Sequence, residues 1–332
     1  MTSSDERSPN FPRRLFWLAA FLVVLFAIYS AGWFYLANRL KTEADQAVAG
    51  LGARGIAAGC ANMTVSGYPL SFAVSCDNIA YEDDAKKIAA STGSLNAVAE
   101  ITGPLSPVAE LRGPLRTMAP GMPPLFIDWD QLHAKVKVSW PLPRSVSLQA
   151  EGLSGQTDPA DDTDPIQLFS AGKAAGQLRP IGADLNYLGS FGDLEINADA
   201  IGGHVLPAMD GSGELTLKNG VALIAAPPKS LRGQSVDIAS LVLSSGTARI
   251  TVSGPVSIDA DGLIDANLTI KLKDPKAVAA ILGGAVPEHK SEIEQGFAGI
   301  AMLGNEPSLP LKIVKSKASL GFIPLGKIKP LE

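Results

Sequence analysis

The chain has 332 residues, of which 46 % are hydrophobic and 18 % charged, and its net charge is −5. That balance is enough for a real core in one large or two modest domains. The sequence has no basic patch interleaved with aromatics, which argues against a nucleic-acid partner.

The first element is an uncharged run, Leu15–Ala37. At ~1.5 Å per residue it reaches roughly 34 Å, enough to cross a hydrocarbon core of ~30 Å. A cleaved signal peptide would carry an apolar region of about 7–15 residues ending in small side chains. Here Trp33, Phe34 and Tyr35 occupy that end, and Trp17 stands near the other, as in an interfacial aromatic belt. The run therefore reads as an uncleaved transmembrane helix, with the lipid bilayer as first partner. Arg7, Arg13 and Arg14 precede it and Arg39 and Lys41 follow, a bias that favours a cytoplasmic tail over residues 1–14. The expected setting is then the inner membrane, with the bulk in the periplasm. Residues 38–55 read as a polar extension of the helix, with Leu40, Ala44, Val48 and Leu51 on one face and Gly50, Gly52 and Gly55 ending it.

Residues 56–332 read as a β-rich domain, in two halves joined near residues 112–124, where Pro and Gly cluster. Cys60 and Cys76 lie symmetrically about Tyr68 in the turn candidate Gly67-Tyr68-Pro69. A hairpin pairing Met63–Ser66 with Leu70–Ser75 would set the cysteines face to face. They then form either a disulfide, which an oxidising compartment favours, or two separate buried thiols.

Further on, the signal is alternation. Leu132, Ala134, Val136, Val138 and Trp140 alternate with polar residues, as do Val146, Leu148 and Ala150. Ile250 and Val252, and Ala266, Leu268, Ile270 and Leu272, repeat the form. Period two marks half-buried antiparallel strands. Asp261-Gly262 and Asn219-Gly220 read as hairpin turns. The expected fold is mainly β, an extended curled antiparallel sheet or a sandwich or groove, with two short C-terminal helices. The first of these starts at Asp274 as N-cap with Pro275 behind it, and the second near Pro287. Ile293, Phe297, Ile300 and Ala301 form one stripe, expected to pack on the sheet. With no long helical layer to cover it, the apolar strand face must meet another sheet or hold something apolar. Val136, Val138, Ile250, Val252, Leu268 and Ile270 are the candidate lining.

Candidate chemistry is thin. Ser170 and Lys173 have S-x-x-K spacing without the companion motifs of Ser–Lys enzymes. Residues 321–327 mimic a phosphate loop, but Ile328 replaces the metal-binding hydroxyl residue. His133, His204 and His289 are scattered, and Asp158, Asp161, Asp162 and Asp164 do not follow the EF-hand template. No catalytic, cofactor-binding or metal site is assigned, and the chain is expected not to be an enzyme.

Several blocks carry a family resemblance. Val65-Ser66-Gly67-Tyr68-Pro69-Leu70-Ser71-Phe72 with Cys76, the strand pair over residues 254–273, and Leu309-Pro310-Leu311-Lys312-Ile313 leading to Gly321-Phe322-Ile323-Pro324-Leu325 all take part. Together with the anchor they resemble the bacterial domain of unknown function 2125, over nearly the whole chain. That family brings no activity or catalytic residues with it. A more distant likeness, in the pattern of residues 254–262, is to AsmA-type envelope proteins. It implies a β-groove associated with lipid movement or envelope maintenance, with a lipid or amphiphile as ligand. The alternative is a structural subunit bound to another envelope protein.

Overall fold

The computed structural model describes residues 11–330 except 54, 160–162, 226–229 and 322. Most of the expected tail and the centre of the acidic loop, Asp161 and Asp162, lie outside the described residues. Helix α1 (Phe11–Gly52) merges the apolar run and its polar extension into one rod. An Arg39–Glu43 pair at 2.8 Å supports the exposed turn beyond the run, and Gly55, at φ 78°, turns the chain out of the helix.

Ten short strands follow: β1 (Ile56–Ala61), β2 (Thr64–Ser66), β3 (Ser71–Cys76), β4 (Asn78–Asp83), β5 (Ile88–Thr92), β6 (Leu95–Glu100), β7 (Val108–Leu111), β8 (Leu115–Met118), β9 (Leu125–Asp128) and β10 (Gln131–Lys137). Longer ones then alternate up and down: β11 (Ser145–Thr157), β12 (Gln167–Ile181), β13 (Asp184–Ile196), β14 (Met209–Leu217), β15 (Ser235–Ser245), β16 (Ala248–Ile258) and β17 (Ile264–Lys273). Strands β18 (Ser308–Val314), β19 (Lys317–Leu320) and β20 (Ile323–Lys327) finish the ladder. All twenty belong to one antiparallel sheet.

The pairings reduce this to a simple path. β1 pairs with β4 while β2 pairs with β3, and the same double pairing recurs up to β9 and β10, which both lie on β11. Each early couple is thus one long strand bent at its middle. The bends fall at residues 62–63, 77, 93–94, 112–114 and 129–130, at one height across the sheet. Hydrogen bonds stitch them together: Asp77 N–H to Ala61 O at 2.9 Å, Arg112 N–H to Ser94 O at 2.8 Å, and Trp129 Nε1–H to Leu111 O at 2.8 Å. Counted as bent strands, the sheet is a meander in which every strand pairs with its neighbours in sequence. The expected join at 112–124 is part of it, because β8 pairs with β5 and β9.

Other expectations change in detail. The register puts Cys60 opposite Ile79 and Val65 opposite Val74, three steps away from the symmetric hairpin about Tyr68. The bend at Asn62 and Asp77 nonetheless brings the two cysteines together, with Cα atoms 5.4 Å apart in a disulfide. Asn219 leads into a short helix, α2 (Gly220–Ala225), where a returning strand was expected. Trp140 does not continue the alternation of β10, because the strand stops at Lys137 and Trp140 projects from the loop.

Helix α3 (Pro275–Ala285) is capped as expected, with Asp274 Oδ1 accepting from the Ala277 amide at 3.2 Å. It packs on β16 and β17. Helix α4 (Lys290–Ala301) packs chiefly on α3 and not on the sheet. Its stripe of Ile293, Phe297, Ile300 and Ala301 is half-buried. The two helices form a hairpin, seated on the strands chiefly through its first member.

Candidate functional site: an apolar trough

Register fixes which side chains share a face, since directly paired residues of an antiparallel ladder point the same way. Beginning at β3, Phe72 pairs with Ala99 and Val74 with Ala97; Ala97 pairs with Ala109, Ala109 with Ala134, and Ala134 with Leu148. The same face continues through Val146 and Leu178 to Tyr187, then Leu241 to Val252 and on to Ile270. A single apolar face therefore runs across the sheet.

Between β7 and β16 that face is concave and encloses an open trough of about 1070 Å³. Its walls include Leu111, Leu115, Ile127, Leu148, Leu178, Leu241 and Leu243, and among the described residues no charged one lines it. Trp129, Leu132 and Ala150 form a small buried cluster at the bend row, against Leu111, Leu115, Ile127 and Leu153. Along the floor, Gly176 pairs with Gly189 and Gly189 with Gly213. These glycines leave the floor low: a Cβ on Gly189 would lie 2.3 Å from the Tyr187 hydroxyl, and one on Gly176 would have ordinary contacts at 3.7 Å. Rings therefore lie flat where side chains would otherwise stand up.

Each end is defined. At the far end α3 covers the face, and Val278, Ile281 and Leu282 enclose with Leu206, Met209 and Leu243 a smaller space of about 220 Å³. At the near end stands α1. Trp33, buried at 5 %, stacks on Phe72 with ring centroids 5.1 Å apart, and its Nε1–H donates to Ser71 O at 3.1 Å. Tyr68 packs between Trp33 and Phe34, its hydroxyl 2.6 Å from Ser30 Oγ, and the Tyr29 hydroxyl donates to Pro69 O. The apolar helix thus docks on the face that becomes the trough.

Of the residues expected to line a groove, Ile250 and Val252 face the trough. Val136, opposite Val146, shares the face, as do Leu268 and Ile270 beyond Val252. Val138 lies past the end of β10 in the exposed loop. Most of the walls come from β12 to β15, where alanine and glycine dilute the alternation. The phase of Leu178, Tyr187 and Phe191 about the paired glycines was the available signal.

The polar candidates do not converge. Ser170 and Lys173 lie on β12, where i and i+3 side chains point to opposite faces. His133 is exposed on β10, and His289 pairs with Glu292 at 2.9 Å on the surface. Among the described residues no group of histidine, cysteine, aspartate or glutamate is placed to hold a metal.

The chain matches no curated protein significantly. A family model described as "Uncharacterized protein conserved in bacteria (DUF2125)" matches residues 33–329, from the tryptophan that seats α1 on the sheet to the last strands of the meander. The chain therefore belongs to the DUF2125 family.

Proposed function

We propose that this is a membrane-anchored, non-enzymatic protein whose trough shelters an acyl chain or similar apolar ligand beside the bilayer. The observation that carries this reading is the uncharged open trough on a face shared with the docked anchor. Its volume lies just above the ~300–1,000 Å³ usual for small-ligand sites, and each buried methylene contributes about 0.8 kcal/mol. Binding then needs no polar anchor.

The Cys60–Cys76 disulfide supports an oxidising compartment, and Arg13 and Arg14 ahead of the span support a cytoplasmic N-terminus. The bulk would then stand in the periplasm, against the inner membrane. A second reading, a structural subunit of an envelope complex, draws on the outer edge of β20, which pairs only with β19 among the described residues. Pro324 and Lys327 blunt that edge, which weakens the second reading.

The test is photo-cross-linking of the full chain in lipid nanodiscs containing a phospholipid with a diazirine-bearing acyl chain. Adducts are expected on peptides of β11 to β16. In Gly176→Trp, which fills the floor, they should fall several-fold while α1 adducts persist. Adducts confined to α1 in the unaltered protein would sink the ligand reading.

A further inference from the structure

We infer that the turn edge of the sheet beside α1 is immersed in the bilayer, so that the β-domain enters the half of the membrane facing it. The inference rests on α1 being a membrane span, but not on any ligand in the trough.

Helix length carries the argument. Arg13 and Arg14 close the uncharged run on one side, so hydrocarbon can begin only near Leu15. The β-domain meets the helix early: the turn after β2 is bonded to Tyr29, Ser30 and Trp33 through Pro69, Tyr68 and Ser71. From Leu15 to Tyr29 the helix rises roughly 22 Å, against a hydrocarbon core of ~30 Å. The free part of the rod is too short to cross alone. Beyond Tyr29 the run continues beside the sheet, and there Phe34, Tyr35 and Leu36 remain exposed. The shortfall, roughly 8 Å, is the depth to which the sheet edge must follow the helix.

The edge itself has the matching chemistry. Meander turns 67–70, 101–107 and 138–144 lie side by side there, linked by Ile101 N–H to Leu70 O at 3.0 Å and Val138 N–H to Leu105 O at 2.7 Å. Their tips are apolar and open: Trp140 is 94 % exposed, Leu70 75 % and Leu105 62 %. Within the three turns the one charged residue is Arg144, which adjoins β11. The opposite edge differs, with Asp84, Lys86 and Lys87 in the turn after β4. Tryptophan with an indole N–H suits the headgroup boundary, and leucine suits the acyl region below it. One row of tips therefore has a use for its exposed apolar groups that water cannot supply.

Both native cysteines are in the disulfide, so one added cysteine can be labelled alone under non-reducing conditions. The full chain is reconstituted into phosphatidylcholine–phosphatidylglycerol vesicles as Trp140→Cys, Leu105→Cys, Asp84→Cys or Leu22→Cys. Each variant carries an environment-sensitive nitrobenzoxadiazole dye, challenged with lipids spin-labelled along the acyl chain. Dye at 105 should be quenched nearly as strongly as at 22, dye at 140 less strongly, and both several-fold more than at 84. Quenching at 22 with an aqueous signal at both 105 and 140 would overturn the inference and leave the span intact. An aqueous signal at 22 as well would overturn both. Should Trp140→Cys fail to fold, Leu105→Cys decides alone.

Discussion

Trp129 sits where the bend row meets the trough, with its indole N–H on the Leu111 carbonyl and its ring against Leu132 and Ala150. Trp129→Ala should cost about 3–5 kcal/mol in chemical denaturation, since it opens a cavity and leaves that carbonyl without its donor. Asp274 tests electrostatics at the same scale. The Thr247 hydroxyl, and then the Ala277 amide, hold its carboxyl below the usual aspartate value. The charged form is thus favoured by folding. Its contribution is complete above the unfolded value of ~3.9 and disappears as the pH falls through the lower folded value. Thermal unfolding monitored between about pH 5 and pH 3 should show a falling midpoint, with a shallower slope in Asp274→Asn, which keeps a cap without the charge. An unchanged slope in that variant would remove Asp274 from the acid response. At this scale the sequence was informative wherever a residue has a local job. Asp274 and Pro275 announce a helix start without tertiary information. Trp129 does not, because its importance comes from a bend that several distant segments create together.

The bends are the element-scale device. Gly93 sits inside the row, and a Cβ there would lie 2.7 Å from Gly113 O and 2.8 Å from Arg112 O. Those are backbone atoms of the adjoining bend and cannot swing aside. Gly93→Ala should therefore destabilise by about 1–3 kcal/mol, read from the denaturation midpoint, while Gly103→Ala, in an open loop, should be near neutral. The disulfide clamps the first two bent strands across the same row. Replacing both Cys60 and Cys76 by Ser should cost about 3 kcal/mol for this loop of sequence separation 16, seen as a lower midpoint that reductant no longer moves. Hairpin alternation made β10, β11, β16 and β17 legible from sequence. β12 and β13 were harder, because Ala174, Ala175, Gly176 and Gly189 blunt the contrast between faces. Asn219-Gly220 looked like a hairpin turn, yet Asn219 takes the positive φ, 53°, and Gly220 starts a helix where a Cβ would lie 2.6 Å from Leu185 Cβ. The stripe on α4 was expected to pack on the sheet, and it is half-buried chiefly against α3, since a helix face does not say which neighbour it will meet.

Across the molecule, stability is distributed along the ladder. Interior strands from β11 to β16 pair along most of their length on both sides, whereas β19 and β20 are short and β20 is paired on one side only among the described residues. Hydrogen exchange of the full chain in nanodiscs should therefore be slowest in β12 and β13 and fastest in β20. Equal protection throughout would mean that the sheet opens as one unit. The mainly β class and a helix long and apolar enough to cross a membrane were visible in the sequence, because both depend on local residue pattern. The choice between one sheet and two was not, because it depends on whether two apolar faces meet. Among the described residues they do not: α1 and α3 shield the two ends, and the middle stays open.

A ladder that only ever pairs neighbours has an evolutionary corollary. Inserting one hairpin anywhere in its middle lengthens the sheet by two strand spacings, roughly 10 Å, without re-routing any other connection. Duplication or loss of such units would let related chains match their reach to gaps of different width, while the bolted-on stem and the end-capping helix pair stay as they are.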